Sequence, residues 1–329
     1  MSPAAPEPPR RRAAPVATLV KVLGSVAGVL VTALLLYELG PRALADAMAP
    51  ALSTLPFCFA IEAARIGLET AATAHALGPW AKRVPPLRLY TIHVATTAVA
   101  QVVPMPRPAA EATKASLLAP YGVPVTAAAS SGATLQAATF LSVATMSLVC
   151  AAFVREGAGV PLRAVLVGNA AMLGVLGVGI RALVRSETVA RATAERFPRL
   201  AGGVAAMREE SLRGALVPVW PSLLLFVSMS LAVLEIAIVG RAMGVHGGAS
   251  PAFAAFGAQL VAATVAVAVP GQLGAREASF SMAAGALGTT KVLAAGISTF
   301  THGVQLVVAL VGFGVLLSSR AGRPTPSPT

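Results

Sequence analysis

Apolar residues along this chain come in long uninterrupted runs, with neither the two-residue alternation of strands nor the narrow stripe of surface helices. Runs at about residues 16–37, 50–72, 123–153, 162–180, 215–239 and 291–317 each reach the length of about 20 residues that a membrane helix needs. Two further regions, Leu89 to Tyr121 and Ala252 to Ala286, are apolar but interrupted. The first holds Pro104, Pro106 and Pro108; the second holds VPGQLGAREA from Val269 to Ala278. Proline removes a backbone donor and glycine loosens the chain, so neither region predicts a continuous helix. Irregular backbone survives at membrane depth only where protein or a watery cavity covers it. Each region therefore predicts a broken hairpin.

The two interruptions echo each other. Pro104 and Pro270, Glu111 and Glu277, Ala112 and Ala278, and Glu69 and Glu235 are all separated by 166 positions. That offset predicts a duplicated unit. If each hairpin returns to its own side, the first enters from the side of the termini and the second from the opposite side. The expected fold is an all-α polytopic membrane protein of two inverted-repeat-like halves, with about six full transmembrane helices and two Pro/Gly-broken re-entrant hairpins. Complete crossing by both regions would give eight spans and would also leave the termini together. The expected divisions are a disordered basic tail over 1–15, a first membrane half over 16–180, a basic amphipathic linker helix over 181–214, a second membrane half over 215–318 and a disordered tail over 319–329.

Composition agrees, with 56% hydrophobic and 12% charged residues, and excludes an ordinary soluble domain. A net charge of +12 would suit a nucleic-acid surface, but its placement does not. The basic clusters Arg10–Arg12, Lys82–Arg88, Arg181–Arg213 and Arg320–Arg323 lie between or beyond apolar runs, as cytoplasmic loops do. With an arginine- and alanine-rich composition, this predicts a multi-pass protein of a bacterial inner membrane with both termini cytoplasmic. The only cysteines, Cys58 and Cys150, sit inside apolar runs, and the four histidines are scattered. No disulfide framework, metal site or cofactor is expected.

The candidate chemistry lies in charges at membrane depth, each costing roughly 2.5–3.5 kcal/mol on insertion scales. Glu62, Arg65 and Glu69 share one helix face, where Arg65 can neutralise a carboxylate on either side. They form a structural clasp or part of a pathway, and Glu235 repeats Glu69 in the second half. At the hairpins, Arg107, Lys114 and Arg276 can donate to a phosphate, while Glu111 and Glu277 neutralise them in an empty site or bind a cationic headgroup. Backbone freed around Pro104–Pro108 and at Pro270, Gly271 and Gly274 can present N–H groups to the same anion. The competing reading makes Glu111 with Lys114, and Arg276 with Glu277, local clasps that hold the hairpins.

The segment PGQLGAREA, Pro270 to Ala278, resembles the signature of the lysylphosphatidylglycerol synthase transmembrane family, the flippase-like membrane region of the multiple peptide resistance factor. PMPRPAAEATK, Pro104 to Lys114, is similar to that family's first signature, with proline and alanine at its glycines. The arginine expected after each hairpin is absent, with Gln136 and His302 near those places. The resemblance covers nearly the whole chain and implies paired halves with hairpins that move a phospholipid or lipid-linked amphiphile between leaflets. It implies no aminoacyl transfer, which belongs to an additional soluble domain in bifunctional relatives. The implied partner is a membrane lipid with a phosphate-bearing headgroup, with no nucleic acid; a homo-oligomer or pathway partners are compatible. The alternatives are an intramembrane lipid-modifying enzyme with Glu111 or Glu277 as base and a non-transporting scaffold of a lipid or glycan pathway. No nucleophile–base pair or nucleotide-phosphate loop supports the enzyme.

Overall fold

The computed structural model describes residues 30, 33–34, 37–102, 106–154, 161–266, 269, 272 and 274–321. Its elements are all helices: α1 (Pro41–Met48), α2 (Leu55–Leu77), α3 (Pro86–Val102), α4 (Pro106–Leu118), α5 (Val125–Phe153), α6 (Leu162–Arg185), α7 (Glu187–Arg196), α8 (Ala201–Leu212), α9 (Val219–Ala242), α10 (Ser250–Val265), α11 (Ala275–Met282) and α12 (Lys291–Ala321). Several start at prolines, whose missing N–H would have no intrahelical partner there anyway. Five stretches among the described residues are long and apolar enough to cross a membrane: Pro41–Arg83, Val125–Phe153, Leu162–Arg185, Val219–Ala242 and Lys291–Ser318. The expected first span, near residues 16–37, lies largely outside the described residues, as do the two tails apart from residues 319–321.

Contacts at the helix ends define two faces. On one, Arg83 Nη1 donates to Gly122 O at 3.0 Å, joining the end of α2 to the turn between α4 and α5. Trp80 Nε1 reaches Glu210 of α8, and Arg181 Nη2 donates to Ser211 O and Ala215 O just ahead of α9. This face carries Lys82, Arg83, Arg88 and the arginines of α7 and α8. On the other, Ser250 Oγ at the start of α10 donates to Phe153 O at the end of α5 at 2.7 Å. Arg163 at the start of α6 donates to Val154 O, and Gly296 near the start of α12 faces Met243, Leu44 and Met48.

These ends settle the two broken regions. Helices α3 and α4 pack together, and α3 starts and α4 ends on the arginine-rich face. Helices α10 and α11 also pack together, and start and end on the opposite face. Both regions are hairpins that return to their own side, and they enter from opposite faces.

The 166-position offset carries α2 onto α9, α3 onto α10, α4 onto α11 and α5 onto α12, within three residues at each end. Packing obeys the same exchange: α3 lies on α12 as α10 lies on α5, α2 on α12 as α9 on α5, and α2 and α9 lie on each other. The first hairpin thus packs chiefly on the other half's long helix, whereas the second is shared between the two long helices, α10 lying on α5 and α11 on α12. The crossing of α3 and α12 is very close, because a Cβ at Gly312 would stand 2.4 Å from Val94 O and 2.8 Å from Ala98 Cβ. The offset places Met146 at the corresponding point of α5, where it is buried in the main core with Cys58, Cys150, Phe280 and Ile297.

The linker departs from the single amphipathic helix expected over 181–214. Helix α6 runs on to Arg185, and two helices follow. Ser186 caps α7 by accepting from Val189 N, and Pro198 lies beyond its end, where its ring and missing donor bar continuation. Arg181 stays inside because it donates to Thr134 Oγ1 and Ser211 Oγ, both at 2.9 Å, as well as to the carbonyls already named.

Candidate functional site

Helix α11 starts at Gly274, whose φ of 76° suits glycine. The Gly274 N–H donates to Glu277 Oε2 at 2.9 Å, so the carboxylate caps its own helix. That donor, expected to serve a bound anion, is already engaged. The other Glu277 oxygen, Oε1, lies 3.1 Å from His302 Nδ1 on α12.

Arg276 and Glu277 do not clasp each other. Consecutive helical residues point in different directions, and here both reach α12 separately. Arg276 Nη1 donates to Gln305 Oε1 at 2.7 Å, and Nη2 donates to Thr301 Oγ1 at 2.9 Å. Gln305 passes the connection on, its Nε2 donating to Glu62 Oε1 on α2 at 3.1 Å. Glu62 also accepts from Arg65, and Arg65 Nη1 lies 3.8 Å from Glu235 Oε2 on α9. A polar path therefore runs from the second hairpin through α12 and α2 to α9. Glu62, Glu235, Arg276, Glu277, Thr301 and His302 are buried. Desolvated charges of this kind persist when paired and hydrogen-bonded, and here the partners come from both halves.

Glu69, the other carboxylate of the α2 stripe, also acts on the Arg65 charge, but its hydrogen bonds go to other helices. Its Oε2 lies 3.0 Å from His93 Nε2 on α3, and its Oε1 accepts from Ser228 Oγ on α9 at 3.2 Å.

The first hairpin is organised differently. Lys114 Nζ donates to Glu111 Oε1 at 2.7 Å, one turn away on α4, so the local clasp is found there. Glu111 packs against Gly132 of α5, where an added Cβ would stand 3.1 Å from its Oε2. The small-residue stretch of α5 thus admits a carboxylate as well as close helix approach. Arg107 stands in the first turn of α4, with its side chain outside the described residues; Pro104, Pro270 and Gly271 lie outside them altogether.

The structure joins Arg276 to Glu62, Arg65 and Glu235, residues expected only to support the site, while Glu277 bonds its own helix cap and His302. It adds Thr301 and Gln305, which sequence reasoning did not select, and His302, which the sequence marks only as lying near the place of an expected arginine. With Ser298 they form a polar stripe at helical spacing on the otherwise apolar α12, and that spacing was the available signal. Among the described residues no group of three or more His, Cys, Asp or Glu could hold a metal ion.

A family model described as the lysylphosphatidylglycerol synthase TM region matches residues 20–312. No curated protein and no solved structure matches the chain.

Proposed function

Because the chain belongs to the lysylphosphatidylglycerol synthase TM region family, we propose that it is a flippase-like transporter, moving a phospholipid or lipid-linked amphiphile between leaflets. The observation that carries this reading is the polar path from Arg276 to Glu235, built by both halves of an inverted repeat. Such repeats, with an interrupted helix in each half, suit alternating access to a central site. The arginine-rich face is the cytoplasmic one in this reading, with both termini there, in a bacterial inner membrane.

A headgroup phosphate would compete with Glu277 for the Gly274 N–H and with Gln305 and Thr301 for Arg276. Exchange of these partners replaces part of the headgroup's hydration while the acyl chains stay in lipid. Arginine suits this role because it stays charged and donates along two parallel directions. In this mechanism the protein moves the lipid and leaves its covalent bonds intact. Helix α4, with its Glu111–Lys114 pair, holds the first hairpin in place beside the route.

The test reconstitutes the purified full chain in liposomes and follows leaflet exchange of fluorescent anionic, zwitterionic and polyprenyl-linked lipids, with mass spectrometry of the lipid afterwards. Transport predicts faster exchange than in protein-free liposomes, with lipid mass unchanged. A lipid of altered mass would establish the enzymatic reading instead, and no exchange of any lipid would favour the scaffold.

A further inference from the structure

The repeat relates more than the hairpins. The offset that places Glu69 on Glu235 also places Glu62 on Ser228 and His93 on Gln259. The geometry follows. Glu69 of α2 is met by Ser228 of α9, and Glu235 of α9 is approached by Arg65, which holds Glu62, on α2. His93 and Gln259 occupy the same position in the first arm of their respective hairpins. The two carboxylate clusters lie on opposite sides of Arg65: α2 runs towards the arginine-rich face at its Glu69 end, whereas the antiparallel α9 runs towards the opposite face at its Glu235 end.

Their accessibility differs. The Glu69 side chain is 32% exposed and that of Glu235 is 2% exposed. Buried polar atoms without a hydrogen-bond partner occur in both clusters, His93 Nδ1 in one and Glu235 Oε1 in the other, and Gln259 Oε1, at the repeat position of His93, is unpartnered as well. A buried polar atom left unpartnered is costly, so its presence in both related clusters calls for a ligand or a second arrangement.

We propose that Glu69, His93 and Ser228 form a second headgroup station, repeat-related to the closed Glu62–Glu235 position, which takes headgroups carrying hydrogen-bond donors, whether hydroxyl or amine. The chemistry lies in the histidine. In this station Nε2 donates to the Glu69 carboxylate it faces, an assignment of the tautomer that makes Nδ1 of the neutral ring an acceptor. Both groups accept from a hydroxyl or an ammonium N–H, whereas a quaternary ammonium offers neither. During translocation the two stations exchange roles, one opening as the other closes. The proposal rests on the transport reading and adds to it where the headgroup pauses and what it must carry.

The test uses the unaltered full chain in vesicles of phosphatidylcholine alone, or with phosphatidylglycerol or phosphatidylethanolamine added. A membrane-permeant carbodiimide labels accessible carboxyl groups, and mass spectrometry reads the labelled fraction at each glutamate. Expected is a several-fold fall at Glu69 when either donor-bearing lipid is present, with Glu187 on the exposed linker unchanged. In His93→Ala the protection is lost while Glu69 still reacts. Equal labelling of Glu69 in all three vesicles, or protection that survives His93→Ala, overturns the station. Leaflet exchange measured in the same vesicles separates the two ideas: exchange without protection removes only the station, and protection without exchange removes the transport reading.

Discussion

In the first hairpin Lys114 reaches Glu111 one turn away on its own helix; in the second, Arg276 and Glu277 turn apart to Gln305, Thr301 and His302 on α12. The offset lays Glu111 on Glu277, yet the two carboxylates have different duties. Glu111 is 28% exposed and serves a local pair, whereas Glu277 is buried between its helix cap and a histidine of another helix. Duplication thus preserved the backbone break and the carboxylate, while partner choice diverged. Both hairpins are tied across the halves by hydrogen bonds, the first through His93 of α3 to Glu69 and Ser228, the second through Arg276 of its signature to Gln305 and Glu62.

The largest expected effect that would break this contrast is on Arg276. Arg276→Ala leaves Glu62, Glu235 and Glu277 with Arg65 as the remaining cation of the path, and should cost about 3–5 kcal/mol as a broken buried charge network does. Thermal unfolding of the purified protein in detergent measures it. A loss as small as that of a surface change would contradict the path.

A smaller effect probes how the first hairpin docks. Gly312→Ala places a methyl group against Val94 O and Ala98 of α3 and should cost about 1–3 kcal/mol through overpacking. Gly303→Ala, where nothing lies within 4 Å, should be near neutral in the same unfolding measurement. The second hairpin can be loosened without touching the first by Gly274→Ala, because the φ of 76° strains any Cβ-bearing residue by about 1–2 kcal/mol. Limited proteolysis should then cut near residues 266–274 and leave α3–α4 protected. The smallest effect is expected for Lys114→Met, which removes an i,i+3 hydrogen bond between a buried lysine and a 28% exposed carboxylate and should cost about 1 kcal/mol. Equal losses at Lys114 and Arg276 would erase the distinction between the hairpins.

Much of the architecture was legible in the sequence because its causes are local. Proline and glycine at the breaks, apolar runs of spanning length and the repeated Glu–Pro spacing all act through backbone chemistry or simple counting. Partner choice was not legible in the same way. Nothing in the adjacent letters of Arg276 and Glu277 says that one reaches Gln305 and the other His302, because that depends on how α12 rotates against α11. The end of α6 was misplaced for a related reason: Arg181 reads as the first residue of the basic linker helix, but the carbonyls of Ser211 and Ala215 fold back to satisfy it inside the membrane half. The two-helix linker was readable in part, since Pro198 marks its break.

The most direct measurement compares leaflet exchange by three well-folded proteins in identical liposomes: the natural chain, Glu277→Gln and Glu111→Gln. Removing the charged acceptor at Glu277 should slow exchange about tenfold or more, since a hydrogen bond to a charged group is worth about 1.5–3 kcal/mol, whereas Glu111→Gln should stay within about twofold. Equal slowing by both substitutions, or greater slowing by Glu111→Gln, would contradict the assignment of the lipid route to the second hairpin.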